Sequence, residues 1–284
     1  MEALESVLLE TARPVDAAAI ARALGPLVGT RPPDAARAAR YCAGLALEAV
    51  PAELAERAVA ALAAEGVGAR RVPAERIAPL PRAEAVTAVE WEVERATLHL
   101  ASGPVEIAFA ALDLVLAHAL ERDPGGRRER ERQRRREESR QPRGVGAEAP
   151  VRRLERDPEA LLAGEDAGLS EAAKRLIGAI ARRRREETLE ASLALDLVTG
   201  GRLIRVRREE VGRVRSAGLD GAAPHSMEVF LSLARAALAG APPAATRAPE
   251  NAALVEAGLL EPALFHHADE LARYERWLLA GRSP

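Results

Sequence analysis

Aromatic side chains make up only 2% of this chain, although apolar residues together reach 48%. Any core must therefore be assembled from Ala, Leu and Val. Each Ala buries little area, so such a core needs long helices and closely approaching backbones rather than interlocking bulky side chains. At 284 residues the chain has room for two domains of roughly 100–200 residues each.

The charges nearly cancel, with 41 basic residues against 43 acidic ones and a net charge of -2. Lys174 is the single lysine, so the basic residues are arginines. With the abundance of Ala, that bias points to a GC-rich bacterial genome. The alternative is selection for guanidinium forks that grip phosphate; against it, the arginines are spread evenly and matched by Glu. The one cysteine, Cys42, allows no internal disulfide and suits a reducing compartment. It closes the helical stretch RAARYC just before Gly44 and reads as a small buried hydrophobe. A reactive thiol would need a nearby base, and none is close in sequence. The start, MEALESVLLETARP, lacks the basic region of a signal peptide. The longest apolar run, Val105–Leu120, is too short and too interrupted by Glu106, Asp113 and His118 to cross a bilayer. A cytoplasmic protein with no membrane partner is expected.

Periodicity predicts an α+β fold whose first part reads β-α-α-β-α-β. Leu4–Thr11 is a strand, Asp16 caps a helix ending in LVG, and Pro32-Pro33 opens a second helix. Leu45–Val50 is a strand, and Pro51 starts a helix with Leu54, Ala58, Ala61 and Leu62 on one face. Gly66 ends that helix, and Val67–Val72 is the closing strand. Beyond Pro81 the stretch TAVEWEVE alternates strictly, with Thr87, Val89, Trp91 and Val93 on one face and Glu90, Glu92 and Glu94 on the other. A hairpin turns at Ser102-Gly103, and a helix is predicted through Leu112, Val115, Leu116 and Ala119. Arg127–Arg140 holds eight Arg, four Glu and no apolar residue, which marks a solvated linker. Two short helices are read after Asp157 and Ser170. Then Leu189–Leu197 alternates at period two, Gly200-Gly201 turns a hairpin, and RLIRVRR returns. Ser226 caps a helix with Phe230 and Leu233, and Asp269 caps a last one with Leu271, Tyr274 and Leu278. ATLHLASGPVEIAFAALDLVLA and ASLALDLVTGGRLIRVRREEVGRV echo one another as strand, Gly turn and strand, through duplication or through a common motif. The expected organisation is an α/β domain at 1–81, a β-hairpin plus helix at 82–122, a charged linker at 123–150 and an α+β domain with a helical end at 151–284.

The first of these domains resembles the C-terminal domain of the bacterial ribosomal stalk protein, a fold shared with the Clp-protease adaptor. The likeness rests on a first helix ending in LVGT, the helix DAARAARYC, the strand LALEAVP and the block ELAERAVAALAAEGVGARRV, within Asp16–Val72. It implies that fold and a role in binding other proteins. The lysine-rich face of the stalk domain has no counterpart, since the helices carry Arg22, Arg37, Arg40 and Arg57 mixed with Asp34, Glu53 and Glu56. The ribosomal role is therefore not implied.

Chemistry-bearing motifs are scarce. G-x-S-x-G, P-loop and H-E-x-x-H patterns are absent, and Gly66-Val67-Gly68 leads from helix to strand, the reverse of a dinucleotide fingerprint. His266, His267 and Asp269 could offer metal ligands, but adjacent side chains on an extended segment diverge, and a site needs three or four convergent ones. Asp196 with Glu209 and Glu210 would be the candidate carboxylate pair. No catalytic, cofactor or metal site is expected. Arg202, Arg205 and Arg207 are the candidate anion-binding residues, because LIRVRR should turn Ile204 and Val206 inward and Arg205 and Arg207 outward. Aromatic stacking residues are missing from that region, so nucleic acid is an unlikely partner. Tyr274 and Trp277 read as packing residues rather than as an interface. Three functional readings follow, in order: a protein-interaction adaptor or regulatory module, an anion or nucleic-acid binder through the C-terminal arginines, and an enzyme of unknown type.

Overall fold

A computed structural model of the chain describes residues 3–121, 191–209, 226–281 and, for the backbone alone, 213–216. The linker expected at 123–150, the helices read after Asp157 and Ser170, Leu189, Glu210 and His225 lie outside these residues. Two units divide the chain, Met1–Leu120 with Leu193–Pro284, and Glu121–Ser192. The structure described below belongs to the first, apart from Glu121, Ala191 and Ser192 at the ends of two strands.

The β-α-α-β-α-β order of the opening segment is found, as β1 (Leu4–Leu9), α1 (Ala17–Val28), α2 (Pro32–Arg40), β2 (Leu45–Pro51), α3 (Ala52–Ala64) and β3 (Ala69–Pro73). Local chemistry explains the boundaries. The Asp16 carboxylate accepts from the backbone N–H groups of Ala18 and Ala19, filling two donors that a helix start leaves open. Pro32 and Pro33 occupy the first turn of α2, where the missing N–H costs nothing. The three strands form an antiparallel sheet in the order β2-β1-β3. Its core is Val7, Leu9, Ile20, Ala23, Leu24, Ala39, Ala55, Ala58 and Leu62, small and aliphatic as the composition required.

The second sheet begins with a meander, β4 (Glu84–Trp91), β5 (Arg95–Leu100) and β6 (Gly103–Ala108), and continues with β7 (Leu114–Glu121), β8 (Ala191–Thr199), β9 (Arg202–Arg207) and β10 (Arg213–Ser216). With the two-residue β11 (Leu264–Phe265) the order is β11-β7-β8-β9-β4-β5-β6, and β10 also pairs with β4. Two helices complete the fold, α4 (Met227–Gly240), capped by Ser226, and α5 (Ala268–Ala280). Gly200 and Gly201, at φ 54° and 76°, make the hairpin turn that joins β8 to β9.

Three local expectations are corrected. The helix predicted through Leu112–Ala119 is the strand β7, whose first six residues are all buried. A strand covered on both faces shows a continuous apolar run instead of alternation, and short runs of that kind do not distinguish helix from strand. The strict alternation of TAVEWEVE breaks at a β-bulge between Val86 and Ala88, and the strand ends at Trp91, so Val93 stands exposed in the turn. Asp269 lies inside the first turn of α5 rather than at its cap, which is His267.

Both faces of β9 are covered. Val206 lines a small pocket together with Val229, Phe230 and Leu233 of α4. Leu203, on the opposite face by strand parity, joins Leu114, Leu116 and Val198 beneath Leu271, Tyr274 and Leu278 of α5. The outer side of α5 fastens to the three-stranded sheet. Trp277 Nε1 donates to the Leu9 carbonyl at 2.7 Å, Arg276 Nη1 sits 2.7 Å from Glu48, and Arg273 Nη1 donates to the Tyr41 carbonyl. Gly44, at φ 89°, is required here, since a Cβ at that position would stand 2.5 Å from Trp277 Cδ1. Among the described residues no helix is long and apolar enough to cross a membrane.

Candidate functional site

Strand parity places His118 of β7, Asp196 of β8 and Arg205 of β9 on the sheet face that α5 covers, alongside Leu116, Val198 and Leu203. Glu275 of α5 comes down on them. Asp196 and Arg205 are direct cross-strand partners in the β8–β9 register. The guanidinium grips the carboxylate with both arms, Nε to Oδ1 at 2.7 Å and Nη2 to Oδ2 at 2.6 Å. His118 Nε2 lies 2.9 Å from Asp196 Oδ2, and Glu275 Oε1 stands 3.8 Å from the Arg205 Nη2 that holds the same carboxylate. Burial by itself would raise the Asp196 carboxyl. His118, the Arg205 fork and Glu275 outweigh burial and hold it well below the usual carboxylate range. Glu275 moves the other way: burial first, then the Asp196 charge, push its carboxyl well above the ordinary value, against the pull of Arg205.

A second polar group adjoins the first. The Tyr274 hydroxyl donates to Glu250, whose carboxyl burial pushes up. Arg13 stacks over the Phe265 ring at 4.2 Å and stands 3.9 Å from Glu250. Asn251 accepts from the Ala117 N–H at 2.8 Å and donates to the Val115 carbonyl at 2.9 Å, serving β7 as a strand neighbour would.

Chemically these groups act on one another. The His118, Asp196 and Glu275 side chains are at most 1% exposed and that of Arg205 is 13% exposed, so they are closed off from solvent. Among the described residues no set of three or more His, Cys, Asp or Glu side chains is arranged to hold a metal. His266 and His267 do not converge: the His267 ring packs edge-on against Tyr41, and the His266 backbone N–H donates to Glu270.

The predicted anion-binding arginines are dispersed. Arg205 does not face outward, because α5 covers the face that period-two geometry assigned to solvent. Arg202, at the other end of the strand, grips Glu84 with two bonds of 2.9 Å. Arg207 is half-buried at the end of β9. Asp196, read with Glu209 and Glu210 as the candidate carboxylate pair, is paired with Arg205; Glu210 lies outside the described residues. The Asp196–Arg205 pair was open to detection from the sequence: a two-residue turn at Gly200-Gly201 sets Thr199 opposite Arg202 and, counting back, Asp196 opposite Arg205. Nothing local marks His118 or Glu275 as their neighbours.

A different feature faces solvent. Between α1, α2 and β2 lies a cleft of about 260 Å³, lined mainly by Ile20, Leu24, Ala35, Ala39, Cys42 and Leu47. Its charged members are Glu48 and Arg273, 3.8 Å apart and each more than a third exposed. The Cys42 thiol belongs to the wall, and burial pushes its pKa up, away from the reactive thiolate. No family model, curated protein or solved structure matches this chain.

Proposed function

We propose that this chain is a non-catalytic protein-interaction module whose docking point is the apolar cleft of its first three-stranded unit. The observation that carries this reading is the cleft's chemistry. It is smaller than the roughly 300–1,000 Å³ typical of small-molecule and cofactor pockets, its walls are aliphatic, and one Glu–Arg pair borders it. Such a space suits one or two aliphatic side chains presented by a partner's amphipathic segment, as in helix-in-groove recognition. The resemblance of Asp16–Val72 to stalk-protein and Clp-adaptor domains, which work by binding proteins, points the same way. An anion-binding role through Arg202, Arg205 and Arg207 has less support, because Arg202 and Arg205 already hold internal carboxylates.

The test places a photo-crosslinker at Ala38, an exposed residue of the cleft wall, in cells of the native host, and measures the captured protein with the purified chain. Filling the cleft by Ala38→Trp should weaken binding at least about tenfold, the loss of one buried aliphatic anchor. Arg202→Ala should leave it unchanged. Binding indifferent to Ala38→Trp would overturn the proposal, as would tight retention on nucleic acid that Arg207→Glu abolishes.

A further inference from the structure

We propose that Asp196 and Glu275 share a single proton, held on Glu275, and that this proton fastens α5 across the sheet and makes the docking of α5 sensitive to alkaline pH. The geometry leaves few other arrangements. One guanidinium serves two buried carboxyl groups, and it is committed to Asp196 at 2.6 and 2.7 Å while Glu275 Oε1 stands 3.8 Å away. A second buried carboxylate would sit against the first with no hydrogen-bonded counter-charge, an arrangement that costs several kcal/mol. A neutral Glu275 removes that cost and supplies Asp196 with another donor, in addition to His118 Nε2 and the two Arg205 arms. Like-charged carboxyls in contact resolve their conflict in this way, with one kept ionised and the other protonated.

The groups facing Glu275 come from three strands: His118 from β7, Asp196 from β8 and Arg205 from β9. Glu250, Tyr274 and Arg13 form the neighbouring set, and Glu48 of β2 meets Arg273 and Arg276 on the outward side of α5. His118 adds one contact to the set, its Nε2 against Asp196, and its Nδ1 has no hydrogen-bond partner among the described residues.

The sign of the pH dependence follows. Glu275 holds its proton more tightly folded than unfolded, so above its ordinary value the folded state binds the extra proton and stability falls as pH rises. Asp196, depressed, acts in the opposite sense, and its contribution is lost only as pH falls below the ordinary carboxylate range. Once Glu275 ionises, the inner face of α5 is repelled from the sheet, and the grip of Trp277, Arg273 and Arg276 on the three-stranded unit loosens with it.

Glu275→Gln keeps the shape and a donor toward Asp196 but cannot ionise. In urea unfolding of the full chain from pH 5 to 9, the wild-type unfolding constant should rise with pH, by up to about tenfold per unit for one proton. The variant should lose that slope and be the more stable protein at the alkaline end. Difference infrared spectra of chain labelled with carbon-13 at Glu should show a protonated-carboxyl C=O band at neutral pH that vanishes in the variant. Two results would overturn the proposal: a slope unchanged in Glu275→Gln, or wild-type protein lacking the neutral-carboxyl band while nitrogen-15 shifts report His118 as imidazolium. Should Glu275→Gln fail to fold, the same spectrum of Glu250→Gln decides, because burial raises the Glu250 carboxyl as well: a band that survives this variant supports the proposal, and a band lost with Glu250 overturns it.

Discussion

The two halves of the described structure solve one compositional problem in opposite ways. The three-stranded unit at the start is packed almost wholly with Ala, Leu, Ile and Val, and its one aromatic, Tyr41, sits at its border with α5. The face under α5 concentrates Phe265, Tyr274 and Trp277 and places a buried Arg–Asp–His–Glu set at the centre of its sheet. An aliphatic core tolerates exchange among residues of similar volume, because nothing in it depends on direction. A buried charged set depends on every member, since removing one leaves the rest unsatisfied. Stability in the first region should therefore be spread over many positions, and in the second it should hang on a few.

The sharpest way to break this contrast is Asp196→Ala, which leaves Arg205 buried without its carboxylate. It should cost about 3–5 kcal/mol in urea unfolding, and the first core should match that only at its most buried Leu and Ile, where truncation to Ala costs about 2–5 kcal/mol. A loss below about 1 kcal/mol would mean that solvent reaches the set. Gly44→Val tests the join between the regions. Its Cβ would meet the Trp277 ring and its backbone would be strained, so a loss of about 1–3 kcal/mol is expected with a shift in tryptophan emission. Unchanged emission would show that Trp277 is not seated against Gly44. Cys42 sharpens the picture of the first core. Native protein at pH 8 should react with a thiol reagent far more slowly than protein in urea, because burial both shields the thiol and disfavours the thiolate; equal rates would place the thiol in solvent. The smallest effect should come from Arg202→Ala, which breaks a solvent-exposed pair with Glu84 and should cost no more than about 1 kcal/mol. A loss as large as that of Asp196→Ala would erase the distinction between exposed and buried pairs.

Much of the first region was legible in the sequence, because its signals are local. Asp16, Pro32-Pro33, Pro51 and Gly66 punctuate helices wherever they occur, and the apolar spacing of Leu54, Ala58 and Leu62 selects one helix face without reference to the rest of the fold. The Gly200-Gly201 hairpin and the Ser226 cap are of the same kind. The second region resisted because its covering layers come from far along the chain. β7 carries a helix-like apolar run since other elements bury both its faces, and Arg205 points into the protein because α5, some 70 residues later, closes over the face that alternation assigned to water. Local sequence thus determined most of the helices, strands and turns among the described residues and where most of them begin, but not β7, whose apolar run fits either state. Only the tertiary structure decided which faces are inside, and with that, that His118, Asp196, Arg205 and Glu275 meet. The physical reason is that hydrogen bonds of turns and caps form between near neighbours, whereas burial is a property of whatever packs on top.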